Sequence, residues 1–271
     1  MIPNFDLKDK VFVITGAAGI LCSEMARELA EMGCRVGILD LSQERAQAVA
    51  DEINQNGGKA LAVACNVLEP TSIEAARDQI LQAFGRVDCL INGAGGNHPQ
   101  ASASDSLSFF DIPEDAMRFV TDLNFMGTLM PSQIFGKVMA EQGFGNIINI
   151  ASMAGIRPLT RVVGYGAAKA AVSNLTQWMA TWFAENVSPD IRVNAIAPGF
   201  LITQQNYYLM VDKQTGEPTP RGAHVLQQTP MNRYGKPEEL VGAVAFLASQ
   251  AASFITGVVL PIDGGFSIYS I

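Results

Sequence analysis

Residues 11–40 read VFVITGAAGILCSEMARELAEMGCRVGILD. The apolar run Val11–Thr15 does not alternate with polar residues, so it reads as a strand buried on both faces. A turn opens at Gly16, a helical stretch follows, and Arg35–Asp40 reads as a second such strand. Strand, glycine turn, helix and strand together make a βαβ unit, the building block of a parallel sheet.

The turn departs from the usual three-glycine fingerprint of dinucleotide-binding units. Gly16 and Gly19 are present, but Ile20 and Cys22 stand where small residues are expected. Phosphate is held by backbone N–H groups and a helix N-terminus, which any residue can offer. Gly16 permits the tight turn, and Gly19 leaves a flexible position before the helix. Cys22 is small enough for close helix–strand packing. The helix is therefore predicted to begin at Ile20, with the Ile20 and Leu21 backbone toward the phosphates and the Ile20 side chain packed inward. Asp40 ends the second strand about 20 residues past the turn, where an acid bonds adenosine ribose hydroxyls. Its alternative role is to cap the following helix. A carboxylate there repels a 2′-phosphate, and Leu41, Ser42 and Gln43 bring no cation, so the pattern favours NAD(H).

Outward from this unit the rhythm repeats. Further strands are read at Ala60–Asn66, Cys89–Asn92, Asn146–Ala151, Arg192–Ala197 and Val258–Ile262. Ala168, Ala171, Val172, Leu175 and Met179 form a helical stripe. The reading is an α/β fold with a parallel sheet and helices on both faces, as one domain over 1–271. Two segments break the rhythm, Gly95–Pro113 and the stretch from Gly199 to about Pro237. Both follow strand C-terminal ends, where open α/β sheets bind ligands, and the second is read as a substrate lid at about 199–237.

Composition narrows the function. The 271 residues are 48% hydrophobic and 16% charged, with a net charge of −8. That fits a large core and disfavours nucleic acid, which recruits basic surfaces. The four cysteines form no CxxC pair, so buried reduced thiols and a cytoplasmic setting are expected. Two distant histidines leave no metal site of ordinary spacing. No signal peptide is visible, and no apolar run reaches the ~18 residues of a membrane span.

The chemical signal is YGAAK, Tyr165 to Lys169. Residues four apart share a helix face, so an ammonium lies near a phenol. A nearby positive charge lowers a phenol's pKa from its usual ~10. NIINIASMAG places Ser152 just past a buried strand, where a hydroxyl can hold a carbonyl oxygen. With Gly16, NGAG, DLNFMG, PGFLIT and GVVLPIDGG, these motifs make the chain resemble the short-chain dehydrogenases/reductases along nearly its whole length.

That resemblance implies a Rossmann-type, doubly wound, seven-stranded parallel sheet. It also implies a tetrad of Asn124, Ser152, Tyr165 and Lys169. Tyr165 would exchange a proton with the substrate oxygen and Ser152 would orient that oxygen. Lys169 would lower the Tyr165 pKa and bind the nicotinamide ribose, and Asn124 would hold a water linking Lys169 to solvent. Cofactor contacts are implied at Gly16, Gly19, Ile20, Leu21, Asp40, Asn66, Val67, Asn92, Ala94, Tyr165, Lys169, Pro198, Leu201 and Thr203. Asn66 stands where the family usually has Asp, and its amide oxygen can still accept a hydrogen bond.

A narrower resemblance runs through GAGILCS-like, NGAGGNHP and IAPGFLITQQN motifs to the short-chain type of D-mannonate oxidoreductase, which interconverts D-fructuronate and D-mannonate with NAD(H). A sugar acid needs a cationic clamp and polar partners. Candidates are Asn97, His98, Arg157, Arg161, Gln204, Gln205, Asn206 and Arg221. His98 can equally cap a loop, and Arg157 and Arg161 can make surface ion pairs. Tyr207 and Tyr208 either close over the sugar or pack the lid on itself. Trp178 and Trp182 suit packing or a subunit interface, and the family resemblance implies a homotetramer. Alternatives are a gluconate 5-dehydrogenase-like reductase, a 3-oxoacyl-carrier-protein reductase, or a non-catalytic NAD-binding protein.

Overall fold

The computed structural model describes residues 4–203 and 207–269. Seven strands form one sheet: β1 Val11–Thr15, β2 Arg35–Asp40, β3 Lys59–Ala64, β4 Cys89–Asn92, β5 Gly145–Ile150, β6 Ile191–Pro198 and β7 Val259–Ile262. Their order is β3-β2-β1-β4-β5-β6-β7, and every pairing is parallel. The strands lie within two residues of the positions read from the sequence, and the Rossmann-type architecture is the one expected.

Nine helices connect them among the described residues: α1 Ile20–Glu31, α2 Gln43–Gln55, α3 Pro70–Phe84, α4 Glu114–Thr121, α5 Gly127–Gln142, α6 Val163–Asn186, α7 Tyr207–Met210, α8 Pro220–Gln227 and α9 Val241–Ala248. The sheet is apolar on both faces because both are covered. Phe12 and Ile14 of β1 join Met25 and Leu29 of α1, Ile53 of α2 and Leu247 of α9 in one core. Val11 and Val13 join Ile80 of α3, Phe135 of α5 and Met179 of α6 in the other. Successive residues of a strand point to opposite faces, so an unbroken apolar run feeds two cores at once.

This topology positions a site. From β1 the chain winds outward to β3, then crosses back to lay β4 against the other side of β1. Loops leaving β1 and β4 therefore diverge and open a crevice at the strand C-terminal ends. Thr15 ties the two strand ends together, its Oγ1 accepting from Gly93 N at 3.1 Å and Ala94 N at 3.2 Å. The segment read as a lid carries the short helices α7 and α8 and bridges to itself at Val211 and Pro218. Cys22, Cys34, Cys65 and Cys89 are free and buried. Among the described residues, no helix is long and apolar enough to cross a membrane, and no cluster of metal-binding side chains occurs.

Candidate active site

A cavity of about 560 Å³ occupies the crevice. Gly16, Gly19, Ile20, Leu21 and Cys22 form one end with Asp40. Gly93–Gly95 line its floor, and Ser152, Tyr165 and Pro198–Leu201 with Thr203 line the other end.

At the turn, Gly16 has φ +63°, and a Cβ there would sit 2.7 Å from the Ala94 Cα. Glycine is thus required twice, by conformation and by close approach. α1 begins at Ile20 with Gly19 as its N-cap residue. Leu21 and Cys22 pack with the core, whereas Ile20 lies outside that cluster, partly buried on the cavity wall. The inward packing expected of Ile20 falls to Leu21, because the first helical turn places Ile20 over the crevice. The Cys22 side chain fills the space beside Gly93, which has no room for a Cβ.

Asp40 is buried, and its two oxygens accept from Ala18 N and Ser42 N, each at 3.1 Å. The capping alternative does not hold: Ser42 is the N-cap of α2, its Oγ accepting from Arg45 N at 3.3 Å. Sequence reasoning misses Arg45. The first turn of α2 swings its guanidinium back to donate to the Ala18 carbonyl at 2.7 Å, and it lines the cavity.

At three sequence-implied cofactor positions the side chain is engaged within the protein. Asn66 closes the turn after β3, its Oδ1 accepting from Leu68 N and its Nδ2 donating to Glu69. Val67 is buried in the core. Asn92 is turned away from the crevice and donates to Ser132 Oγ and Asn149 Oδ1, both at 2.8 Å. Asn149 in turn donates to Thr176 Oγ1, so this polar chain links β4, β5, α5 and α6 beneath the site.

On the chemical side, α6 carries Tyr165 and Lys169. Gly155 lets the turn after Ser152 lie against α6, since a Cβ there would come 2.6 Å from the Lys169 backbone carbon. Lys169 is 3% exposed, and its ammonium donates to the Ile150 carbonyl at 2.7 Å. Burial pulls its pKa down to about 8. Burial also raises the Tyr165 phenol above its ordinary value, opposed by a hydrogen bond with Ser152. The lowering expected from Lys169 is not what this geometry produces: with the ammonium 5.7 Å from the Tyr165 ring centroid, the burial of Tyr165 sets the direction. Asn124 is fully buried in a π-helical turn, Asp122–Met126, a distortion frequent at functional sites. Its amide donates to the Gly96 and Val120 carbonyls and accepts from Gly96 N. It thereby holds the loop after β4 against Lys169: a Cβ on Gly95 would meet Asn124 Oδ1 at 2.7 Å and Lys169 Nζ at 3.2 Å.

Several substrate candidates lie away from the cavity. Asn97 donates to Ser102 Oγ at 2.8 Å. His98 caps a short turn, its Nδ1 accepting from Gln100 N, and packs edge-on to Phe119. The Arg157 guanidinium donates to the carbonyls of Phe266 at 3.0 Å and Tyr269 at 3.4 Å and lies over the Phe266 ring. It fastens the C-terminal segment rather than standing free as a clamp. Gln204, Gln205 and Asn206 lie outside the described residues.

A seven-stranded parallel sheet with a nucleotide-type turn, a strand-end serine and a tyrosine–lysine pair in one crevice defines a class of oxidoreductase. A family model described as enoyl-(acyl carrier protein) reductase matches residues 16–267, and the chain belongs to the short-chain dehydrogenase/reductase family. It is 48% identical to the uncharacterised oxidoreductase UxuB of Bacillus subtilis, over 100% of this chain and 99% of that one. A Haemophilus influenzae protein provisionally named as a D-mannonate oxidoreductase, solved with NAD bound, superposes with TM-score 0.92 at 47% identity, covering 98% of this chain and 97% of the other. The 7α-hydroxysteroid dehydrogenase of Escherichia coli is 34% identical over 97% of this chain and 96% of its own length.

Proposed function

We propose that this oxidoreductase uses NAD(H) to interconvert a keto sugar acid and its hydroxy acid, D-fructuronate and D-mannonate foremost, with Tyr165 exchanging the proton. The observation that carries this reading is the single crevice shared by the Gly16–Leu21 turn, Asp40, Ser152 and Tyr165. The substrate assignment is supported by the 47% identity to the Haemophilus influenzae protein.

The residues fit a dinucleotide. The bare turn at Gly16 and the α1 N-terminus suit a pyrophosphate. Asp40 suits ribose hydroxyls and opposes a 2′-phosphate. Ala94, Pro198, Leu201 and Thr203 extend the wall toward Tyr165. Bound there, the nicotinamide supplies the hydride. The protein's residues do the rest. The Tyr165 hydroxyl gives its proton to the ketone oxygen, and Ser152 holds that oxygen in line. Lys169, with a pKa of about 8, sits behind Tyr165 and adjusts its own protonation near working pH. Asn124 fixes the β4 loop against it.

The exposed, stacked Trp178 and Trp182 border an apolar cavity of about 360 Å³ between α5 and α6. This face suits a second copy of the chain, and we propose a cytoplasmic homotetramer. Light scattering at micromolar concentration checks it; a monomeric mass overturns it.

The deciding assay follows NADH consumption with D-fructuronate, D-tagaturonate, 5-keto-D-gluconate and an acetoacetyl thioester. Turnover fastest with D-fructuronate is expected. No activity on any keto acid, with NADH shown to bind, would leave a binding-only protein instead.

A further inference from the structure

A second cavity, of about 460 Å³, lies beside the first, and Phe200 lines both. Arg157, Arg161, Arg221 and His224 border it, together with apolar Leu159, Val162 and Val225, and among the described residues no carboxylate lines it. In a chain of net charge −8 this is a local reversal of sign, and such a pocket concentrates anions.

The three arginines are not equivalent. Arg157 is spent on the C-terminal carbonyls. Arg161 has φ +115°, a left-handed conformation that a non-glycine residue rarely adopts. Ala103 N donates to its carbonyl at 2.9 Å, which holds it there. Strain of this kind persists where the surroundings impose it, and it gathers at binding sites. Its acid neighbour, Asp105, is 3.7 Å away and fully exposed. Arg221 has no acid within ion-pair distance among the described residues. It sits at the second position of α8, with His224 three residues on and on the same face. The helix that carries them is pinned. Thr219 Oγ1 donates to the Leu209 carbonyl and accepts from Gly222 N. A Cβ at Gly222 would overlap the Met210 carbonyl. The two side chains therefore leave a fixed helix rather than a loose loop, which lowers the entropic cost of gripping a ligand.

We propose that Arg221, with Arg161 and His224, is the subsite for the substrate carboxylate, and that it selects acids whose carboxylate lies several carbons from the reacting ketone. The proposal rests on the keto-acid reading above and adds where the acid binds. Ser152 and Tyr165 line one cavity, Arg161, Arg221 and His224 line the next, and Phe200 lines both. A 2-keto acid carries ketone and carboxylate on adjacent carbons and cannot reach both cavities. An extended polyhydroxy acid can.

The test compares wild type, Arg221→Ala, Arg221→Lys and Arg161→Ala, assayed with NADH on D-fructuronate, 5-keto-D-gluconate, 2-keto-D-gluconate and the neutral ketose D-fructose. Removing one charge-assisted contact is expected to raise KM for the remote acids about 30-fold in Arg221→Ala, with kcat within about twofold. The preference for acid over D-fructose collapses with it, Arg221→Lys restores part of it, and Arg161→Ala lowers it less. Equal losses on acid and neutral ketose, which a merely structural α8 would give, overturn the subsite. So does an unchanged acid KM, or 2-keto-D-gluconate turned over as well as the 5-keto acid. Failure of the underlying keto-acid reading looks different: wild type reduces none of the acids and instead reduces another ketone, such as a 7-oxo steroid.

Discussion

Replacing Lys169 with Met is expected to abolish turnover while favouring the fold at neutral pH. Lys169 is 3% exposed, and burial brings its pKa from 10.5 to about 8. Each unit is worth about 1.4 kcal/mol, so at pH 7 the buried charge costs the folded state about 3 kcal/mol. The unfolded chain keeps this proton up to about pH 10.5, and the folded chain releases it near pH 8. Between those values the unfolded state binds more protons, so this group's contribution makes stability rise with pH. By about pH 9.5 the cost has fallen to about 1 kcal/mol. Methionine has no such dependence. The variant also loses the hydrogen bond to the Ile150 carbonyl, a cost of about 1–3 kcal/mol, but it loses it at both pH values. Urea unfolding of both proteins at about pH 7 and 9.5 isolates the charge. The variant-minus-wild-type stability should be about 2 kcal/mol more favourable at the lower pH. An equal difference at both pH values, or one of opposite sign, would show that Lys169 is not titrating as a desolvated amine.

Tyr165→Phe should lower kcat/KM about 10³-fold or more while leaving the NADH dissociation constant within about threefold; a variant retaining most of its turnover would remove Tyr165 from proton transfer. Gly155→Ala places a Cβ 2.6 Å from the Lys169 backbone carbon and 2.7 Å from Ala170 N. It should cost about 1–3 kcal/mol in unfolding experiments and depress kcat, because Ser152 is displaced with its turn. Arg157→Ala should lower Tm by releasing Phe266 and Tyr269, with KM for keto acids changed less than about twofold; a large KM effect would return Arg157 to the substrate. NADH should be preferred to NADPH, and Asp40→Ser should narrow the ratio by relieving repulsion of the 2′-phosphate, as paired kcat/KM values would show.

Much of the site is legible in the sequence. Ser152, Tyr165 and the glycine turn fall in one crevice because each directly follows or flanks a strand C-terminus, and a parallel sheet gathers those ends on one edge. Asn92 shows what motif matching overlooks. Leu90 packs on the α5 and α6 side, and Asn92, two residues on, shares that face by strand alternation. The face it points to therefore follows from parity, and its partners Ser132 and Asn149 follow only from the folded chain. Arg45 could also have been found, since a helix starting at Gln43 turns its third residue back toward the strand ends.

Arg157 and Arg221 could not be told apart in this way. Both are isolated arginines near the expected substrate segment. Only the folded chain shows one fastened to carbonyls more than a hundred residues away and the other carried by α8 into a pocket that no acid among the described residues lines. The electrostatics of Tyr165 and Lys169 divide similarly. Their spacing on one helix face follows from the sequence, but the direction of each pKa follows from burial. The sequence by itself determined the sheet, its doubly covered core and the edge where chemistry gathers, because hydrophobic periodicity and strand-end turns are local signals. The tertiary structure decided which polar groups are spent on the fold and which are left for a ligand, because hydrogen-bond partners and desolvation depend on residues distant in the chain.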